Sequence, residues 1–389
     1  MLLYVHVPFC VRKCGYCAFH SGPFSAPEAE RYVELVLREL DGRGKALGRR
    51  AVETVYIGGG TPSLLTPAQI GAILEGAAAR FDLEAGAEIT LEANPESALK
   101  TGFLAAVRSL GVNRLSLGVQ SLRDDLLAML GRSHDAARAR RAARAAREAG
   151  FANLSLDMIW GLPGQDVSAW LADLAGIVAL APEHVSCYGL SLEEGAPLAE
   201  SVNAGRLFLP DEEEGARMYL EGSAYLESEG FGHYEISNYA RPGRESRHNR
   251  GYWSGRDYLG LGPAAVSTLD GRRWANPAGL DEYARTVAAG VEREGTEVLT
   301  ADVRRQEMVM LALRTRDGLD LQEFMAATGI EFPRRDPAVE RLRSSGLVRL
   351  GAGRLQLTRE GMLVSNSVIE LVLGVLDRTP ATTAQESYD

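Results

Sequence analysis

Cys10, Cys14 and Cys17 are three of the chain's four cysteines, and they fall within one octapeptide, Cys10-Val11-Arg12-Lys13-Cys14-Gly15-Tyr16-Cys17. Short turns at this spacing let successive thiolates converge on a metal centre. A closed zinc site wants four ligands, usually as two separated pairs, and the remaining cysteine, Cys187, stands alone far along the chain. Sparse cysteines and no secretory leader argue against a disulfide framework. Three thiolates suit a [4Fe–4S] cluster with one iron left open to a non-protein ligand.

Other residues with chemical potential follow β-like runs. Gly58-Gly59-Gly60-Thr61 lacks Cβ atoms over three positions, so main-chain groups there can approach a ligand closely. No Lys-Ser or Lys-Thr follows, which argues against a phosphate-cradling P-loop. Glu92, Gln120, Asp157 and Ser191 recur at the ends of later runs, and Arg132 lies between two of them. An arginine suits a carboxylate, and acidic or amide side chains suit hydroxyls.

The elements that must carry these residues are β-strands alternating with helices. The run Leu2–Val7 leads into the cysteines; further runs cover 54–57, 88–91, 114–117, 154–157 and 184–188. Helical patterns separate them: 26–47 with Tyr32, Val33, Val36, Leu37 and Leu40 on one face, one capped by Thr66 before Pro67, and one from Ser133 to Glu148. Alternation at this spacing predicts βα units and a parallel sheet. The units are fewer than a closed TIM barrel needs, so the expected fold is α/β, a partial, open (β/α)6 TIM-type barrel with its site at the carboxyl ends of the strands.

Cys-x-x-x-Cys-x-x-Cys after a strand resembles the radical S-adenosylmethionine superfamily. Tyr4-Val5-His6-Val7-Pro8-Phe9-Cys10 narrows the resemblance to the branch of oxygen-independent coproporphyrinogen III oxidases and related haem chaperones. The resemblance implies that the open iron is chelated by the amino and carboxylate groups of S-adenosylmethionine. A reduced cluster, served by an electron donor, then cleaves the sulfonium. It also implies that Gly58, Gly59, Gly60 and Thr61 meet the methionyl amino group. Glu92, Gln120, Arg132 and Asp157 would hold the methionine carboxylate, amine and ribose hydroxyls, Tyr4 would pack near the cofactor, and Ser191 would give a main-chain contact. Arg247-His248-Asn249-Arg250-Gly251-Tyr252-Trp253 resembles the His-Asn-x-x-Tyr-Trp motif of the chaperones. An imidazole can ligate haem iron and aromatics can stack on a macrocycle, so His248, Tyr252 and Trp253 are the candidate haem residues.

Two functions follow from that branch: a radical enzyme decarboxylating two propionates of coproporphyrinogen III, or a chaperone passing haem to acceptor haemoproteins. Three features favour the chaperone. Phe19 stands where the oxidases carry a further cysteine, the cluster loop starts at Cys10 without the oxidases' N-terminal extension, and the His248 motif is the chaperones' own.

The bounds from composition agree. A net charge of −10 and a pI near 5.3 argue against broad nucleic-acid binding. Arg138 to Arg147 reads as a solvated helix face that leaves room for peripheral contact with an anionic membrane. No apolar run approaches the roughly eighteen residues of a membrane span, and an oxygen-sensitive cluster fits the cytoplasm. Asp211 starts a helix with a capping-box pattern that runs to Gly230. Helices over 303–314, 321–328 and 337–345, then a glycine-turned hairpin over 347–357, predict a winged-helix-like C-terminal domain acting as a lid or docking module. The expected organisation is a barrel over 1–240, a connecting segment over 241–300, the small domain over 301–378 and a disordered tail over 379–389.

Overall fold

The computed structural model describes residues 1–290 and 295–379. It separates into two units, the first built from Met1–Gly232, Tyr239–His248 and Asp257–Glu297, the second from His233–Asn238, Asn249–Arg256 and the chain from Val298 onward. Most of the tail expected to be disordered, 380–389, lies outside the described residues.

The first unit is a parallel sheet whose strands are β1 (Leu2–Val7), β2 (Ala51–Gly59), β3 (Asp82–Ala93), β4 (Arg114–Gln120), β5 (Leu154–Trp160) and β6 (His184–Gly189), adjacent in that order. β1 covers the expected run as it stands, and each of the other five covers its run and extends it. Along the strands apolar and polar residues alternate, as in Leu154-Ser155-Leu156-Asp157 and His184-Val185-Ser186-Cys187. Successive side chains point to opposite faces. Val55, Ile57, Leu91, Leu115, Leu117, Leu154, Leu156 and Val185 therefore join one buried core with the helices. Thr54, Tyr56, Thr90, Glu92, Arg114, Ser116, Ser155, Asp157, His184 and Ser186 share the other face. Their register is continuous: Tyr56 opposes Thr90, Thr90 opposes Arg114, Glu92 opposes Ser116, and Asp157 opposes Ser186. Parallel strands buried on both sides are usually apolar throughout; a polar face marks where this sheet holds its chemistry.

The crossover helices are α1 (Ala26–Leu47), α2 (Pro67–Arg80), α3 (Phe103–Ser109), α4 (Ala136–Glu148) and α5 (Val167–Val178). Thr66 caps α2 with a full capping box to Gln69. Helix α4 starts three residues later than its composition suggested, because Asp135 accepts from the Arg138 amide and ends the preceding loop. Its alanines 139, 142, 143 and 146 are buried, while Arg141 and Arg144 are exposed. In α6 (Glu212–Ser228) Asp211 caps as expected, but Glu214 does not complete the box: its carboxylate accepts from the Val167 amide instead.

The sheet continues past β1 in a way alternation did not reveal. Strand β7 (Tyr258–Leu261) pairs parallel with β1, and β8 (Val266–Leu269) and β9 (Arg272–Ala275) follow antiparallel. These strands are four residues each and interrupted by glycine, too short for a periodic signal. Buried Glu39 of α1 fastens them, accepting from the Gly262 amide, Asn276 and the Tyr283 hydroxyl. The stretch expected as a connecting segment thus belongs mostly to the barrel unit.

The second unit contains α8 (Ala301–Leu313), α9 (Leu321–Thr328), α10 (Pro337–Ser344) and α11 (Ser365–Leu376), with α7 (Arg247–Trp253) entering it after His248. A three-stranded sheet, β10 (Leu319–Asp320), β11 (Val348–Gly351) and β12 (Arg354–Leu357), runs in the order β10-β12-β11. Helices followed by this small antiparallel sheet give the winged-helix-like arrangement expected of the region. No described helix is long and apolar enough to cross a membrane.

Candidate functional site

The cysteine loop leaves the end of β1 and is fixed at both its ends and its middle. Phe9 and Cys10 pair in parallel with Gly22 and Pro23, and the Phe24 amide donates to the Cys10 carbonyl. In the middle, the Gly15 amide donates to the Leu130 carbonyl and the Leu198 amide to the Gly15 carbonyl. Arg12 reaches the Gly131 carbonyl at 2.8 Å. The thiols of Cys10, Cys14 and Cys17 are half-buried, and their charges act on one another: burial raises the Cys17 thiol, and Cys14 and Cys10 raise it further. The Thr61 hydroxyl lies 3.5 Å from the Cys10 sulfur, and Arg132 Nη1 lies 3.6 Å from that of Cys14. Such donors suit thiolates that carry negative charge. Among the described residues no three His, Cys, Asp or Glu side chains stand close enough to share a single metal ion. In a polynuclear cluster each thiolate binds its own iron, and three thiols with donors beside them fit that group.

The glycine run that ends β2 is shaped first by the protein itself. A Cβ on Gly59, whose φ is +108°, would lie 2.6 Å from His6 Nδ1, and one on Gly60 would lie 2.6 Å from the Phe9 carbonyl oxygen. Close packing of β1 and the cysteine loop against Gly59 and Gly60 requires glycine there before any ligand is considered. Gly58 opposes His6 in register. Nε2–H of His6 donates to the His20 carbonyl at 2.9 Å, leaving Nδ1 to accept from the Tyr4 hydroxyl at 3.0 Å. Glu92 of β3 accepts from the Gly59 amide at 3.0 Å and from the Tyr56 hydroxyl at 2.7 Å. Burial, then the charge of Asp157, push its carboxyl up to about 7 against those two donors and Arg114. A carboxylate held so high is ready for a cationic partner.

Asp157 of β5 sits among hydroxyls. Its Oδ1 accepts from Ser116, Ser155 and Ser186, and its Oδ2 from Ser116. Burial raises this carboxyl too, and the serines and Arg114 oppose the rise. Arg114 is 1 % exposed, and its charge acts on Glu92, Asp157, His184 and His248 alike. Gln120 ends β4 at φ +72°, a left-handed conformation costly for a non-glycine residue. The loop after it holds that shape, because buried Asp173 of α5 accepts from the Ser121 hydroxyl at 2.7 Å and the Leu122 amide at 3.1 Å. Arg132 donates to the Gly118 carbonyl through Nη2, which turns its other nitrogen to Cys14. Ser191 is exposed in the loop after β6. Cys10, Cys14, Gly118, Arg132 and Thr61 are thus linked in one group, and Tyr4, Gly59, Glu92 and Asp157 in an adjoining one.

His248 packs against that second group, its ring 6.4 Å from that of Tyr4. Its Nδ1 bonds the Thr54 hydroxyl at 2.7 Å and its amide donates to Glu88, residues that oppose each other on adjacent strands. Its ring lies 5.0 Å from that of Tyr56, it is 1 % exposed, and Nε2 is buried. Burial, with Arg114, pushes its imidazole down to about 3. In this conformation its ring is packed inside the fold. The motif also divides between the units: Tyr252 and Trp253 belong to the second, where the Trp253 indole hydrogen-bonds to Glu235.

Reading by motif missed Tyr56, Arg114, Asp173 and the serines round Asp157. The strand serines and Tyr56 carried a signal, polar residues at alternate positions in strands otherwise apolar. Asp173 carried none, since it lies on a helix far along the chain from the loop it holds.

Comparison with known proteins places these features. Residues 4–174 match the Radical SAM superfamily and residues 299–364 the HemN C-terminal domain. The chain is 38% identical over 376 residues to a Mycobacterium tuberculosis protein named "Heme chaperone HemW", covering 96% of this chain and 94% of that one. It is 35% identical to the Escherichia coli protein of the same name, covering 95% and 97%. A Bos taurus protein named "Radical S-adenosyl methionine domain-containing protein 1, mitochondrial" is 37% identical, covering 98% and 90%. Among solved structures, Escherichia coli coproporphyrinogen III oxidase (HemN) superposes with a TM-score of 0.81 at 24% identity, covering 97% of this chain and 90% of that one. The last likeness concerns the fold.

Proposed function

The chain belongs to the radical S-adenosylmethionine superfamily and, within it, to the HemW family, and from that premise we propose that it is a haem chaperone using a cluster and S-adenosylmethionine at one end of its parallel sheet. The observation that carries the reading is the joining of the cysteine loop to the polar strand ends through Arg132 and Thr61, on a chain related along 96% of its length to named haem chaperones.

Cys10, Cys14 and Cys17 would hold a [4Fe–4S] cluster, which when reduced supplies an electron to the sulfonium of bound S-adenosylmethionine. The residues around it have separate tasks. Glu92, anchored by Tyr56 and the Gly59 amide, would receive the methionyl ammonium. Arg132, fixed by the Gly118 carbonyl, would face the methionyl carboxylate. Asp157 would turn Oδ2 to the ribose hydroxyls, with Gln120 beside it and Tyr4 and Ser191 lining the cofactor. Haem and acceptor haemoproteins are the partners, with an electron donor for the cluster.

The test begins with anaerobic reconstitution. The protein should acquire cluster absorbance, bind S-adenosylmethionine and take up haem stoichiometrically. Cys14→Ala should lose the cluster absorbance, and an intact cluster in that variant would contradict the ligand assignment.

A further inference from the structure

The six histidines of this chain divide sharply. His6, His134, His184, His233 and His248 are buried, none more than 6% exposed. Each has a ring nitrogen engaged inside the fold: His6 with Tyr4 and the His20 carbonyl, His134 with the Val119 carbonyl, His184 with Ser155, His233 with the Ile236 carbonyl, and His248 with Thr54. An axial bond from any of them to haem iron needs the fold to open. His20 is the exception. It is exposed, and its ring makes no hydrogen bond among the described residues.

Its surroundings fit a porphyrin. The same loop exposes two large apolar side chains, Val11 at 67% and Phe19, next to His20 in sequence, at 62%. Arg12 and Lys13, also exposed, offer cations of the kind that pair with propionates. Phe208, 76% exposed, follows Leu207, which packs against the same small core cluster as Tyr16 of this loop. The loop itself is held at Cys10, Gly15, Gly22 and the His20 carbonyl, so an imidazole on it is presented from a fixed backbone.

We propose that the haem carried by this protein is ligated by His20, with Phe19 and Val11 against the macrocycle, on the outer side of the cysteine loop. The inference rests on the haem-chaperone reading above and gives that cargo a site different from the His248 motif. It also joins the two cofactors mechanically. The His20 carbonyl is bonded to His6, and His6 to Tyr4, so the haem loop and the S-adenosylmethionine pocket share one hydrogen-bonded chain.

The experiment is an anaerobic haem titration of the full-length, cluster-loaded protein followed by absorbance and low-temperature EPR. His20→Ala, His20→Gln and His248→Ala run beside it, with iron content and S-adenosylmethionine affinity measured for each. The expected result is at least a tenfold loss of haem affinity and loss of the imidazole-ligated spectrum in both His20 variants. Their cluster and S-adenosylmethionine binding should be kept, and added imidazole should restore the spectrum of His20→Ala. His248→Ala should keep the wild-type haem spectrum. Wild-type affinity and spectrum in the His20 variants would overturn the site while leaving the chaperone reading intact. Loss of haem together with the cluster in both would also overturn it, since haem would then need the loop and not the imidazole. If the wild-type protein binds no haem, the chaperone reading itself fails.

Discussion

At the scale of single residues, the two buried carboxyls make the sharpest predictions. Glu92 in the folded, unliganded protein keeps its proton up to about pH 7, whereas an unfolded glutamate loses it near 4.5. The folded state therefore binds the extra proton within that window. The stability this residue contributes is fully present below pH 4.5 and is lost as pH rises through about 7. For an ammonium ligand the dependence is reversed. Affinity for S-adenosylmethionine should climb as pH rises toward about 7 and then level off, and Glu92→Gln should weaken binding and flatten the profile. Calorimetry across neutral pH decides this; a flat wild-type profile would remove Glu92 from the ammonium. Asp157→Ala should cost about 1–3 kcal/mol of S-adenosylmethionine binding, roughly five- to 150-fold. Unchanged affinity would show that the serines merely bury Asp157.

At the scale of elements, the site depends on loops held by residues remote in sequence. Asp173→Ala leaves the Ser121 hydroxyl and the Leu122 amide without their acceptor and releases the left-handed Gln120. Thermal unfolding should show a loss of about 1–3 kcal/mol, with weaker S-adenosylmethionine binding; Asp173→Asn should recover part of both. Stability loss with unaltered affinity would separate Asp173 from the site. These dependencies explain how far the sequence could be read. Strands β1 to β6 were legible because they repeat with long helices between them, and the cysteines because three lie in one loop. Strands β7 to β9 were hidden by their shortness, and Asp173 by its distance along the chain. The packing of His248 was hidden for the same reason. Its neighbours in sequence suggest a ligand, while its neighbours in space, Thr54, Glu88, Tyr56 and Tyr4, lie far off along the chain and pack its ring inside the fold.

At the scale of the molecule, fold and function are carried by different findings. The fold is shared with Escherichia coli coproporphyrinogen III oxidase (HemN) over nearly the whole chain, and a shared fold does not fix the reaction. The functional assignment comes from relatives at 35–38% identity named as haem chaperones, together with the cysteine loop, where Phe19 replaces the oxidases' further cysteine. The most direct measurement gives the anaerobic, cluster-loaded protein haem and an apo-haemoprotein in one experiment, and coproporphyrinogen III with S-adenosylmethionine and a reductant in a parallel one. The chaperone account predicts stoichiometric haem binding, transfer of that haem to the acceptor, and no protoporphyrinogen IX. Formation of protoporphyrinogen IX without haem binding or transfer would contradict it.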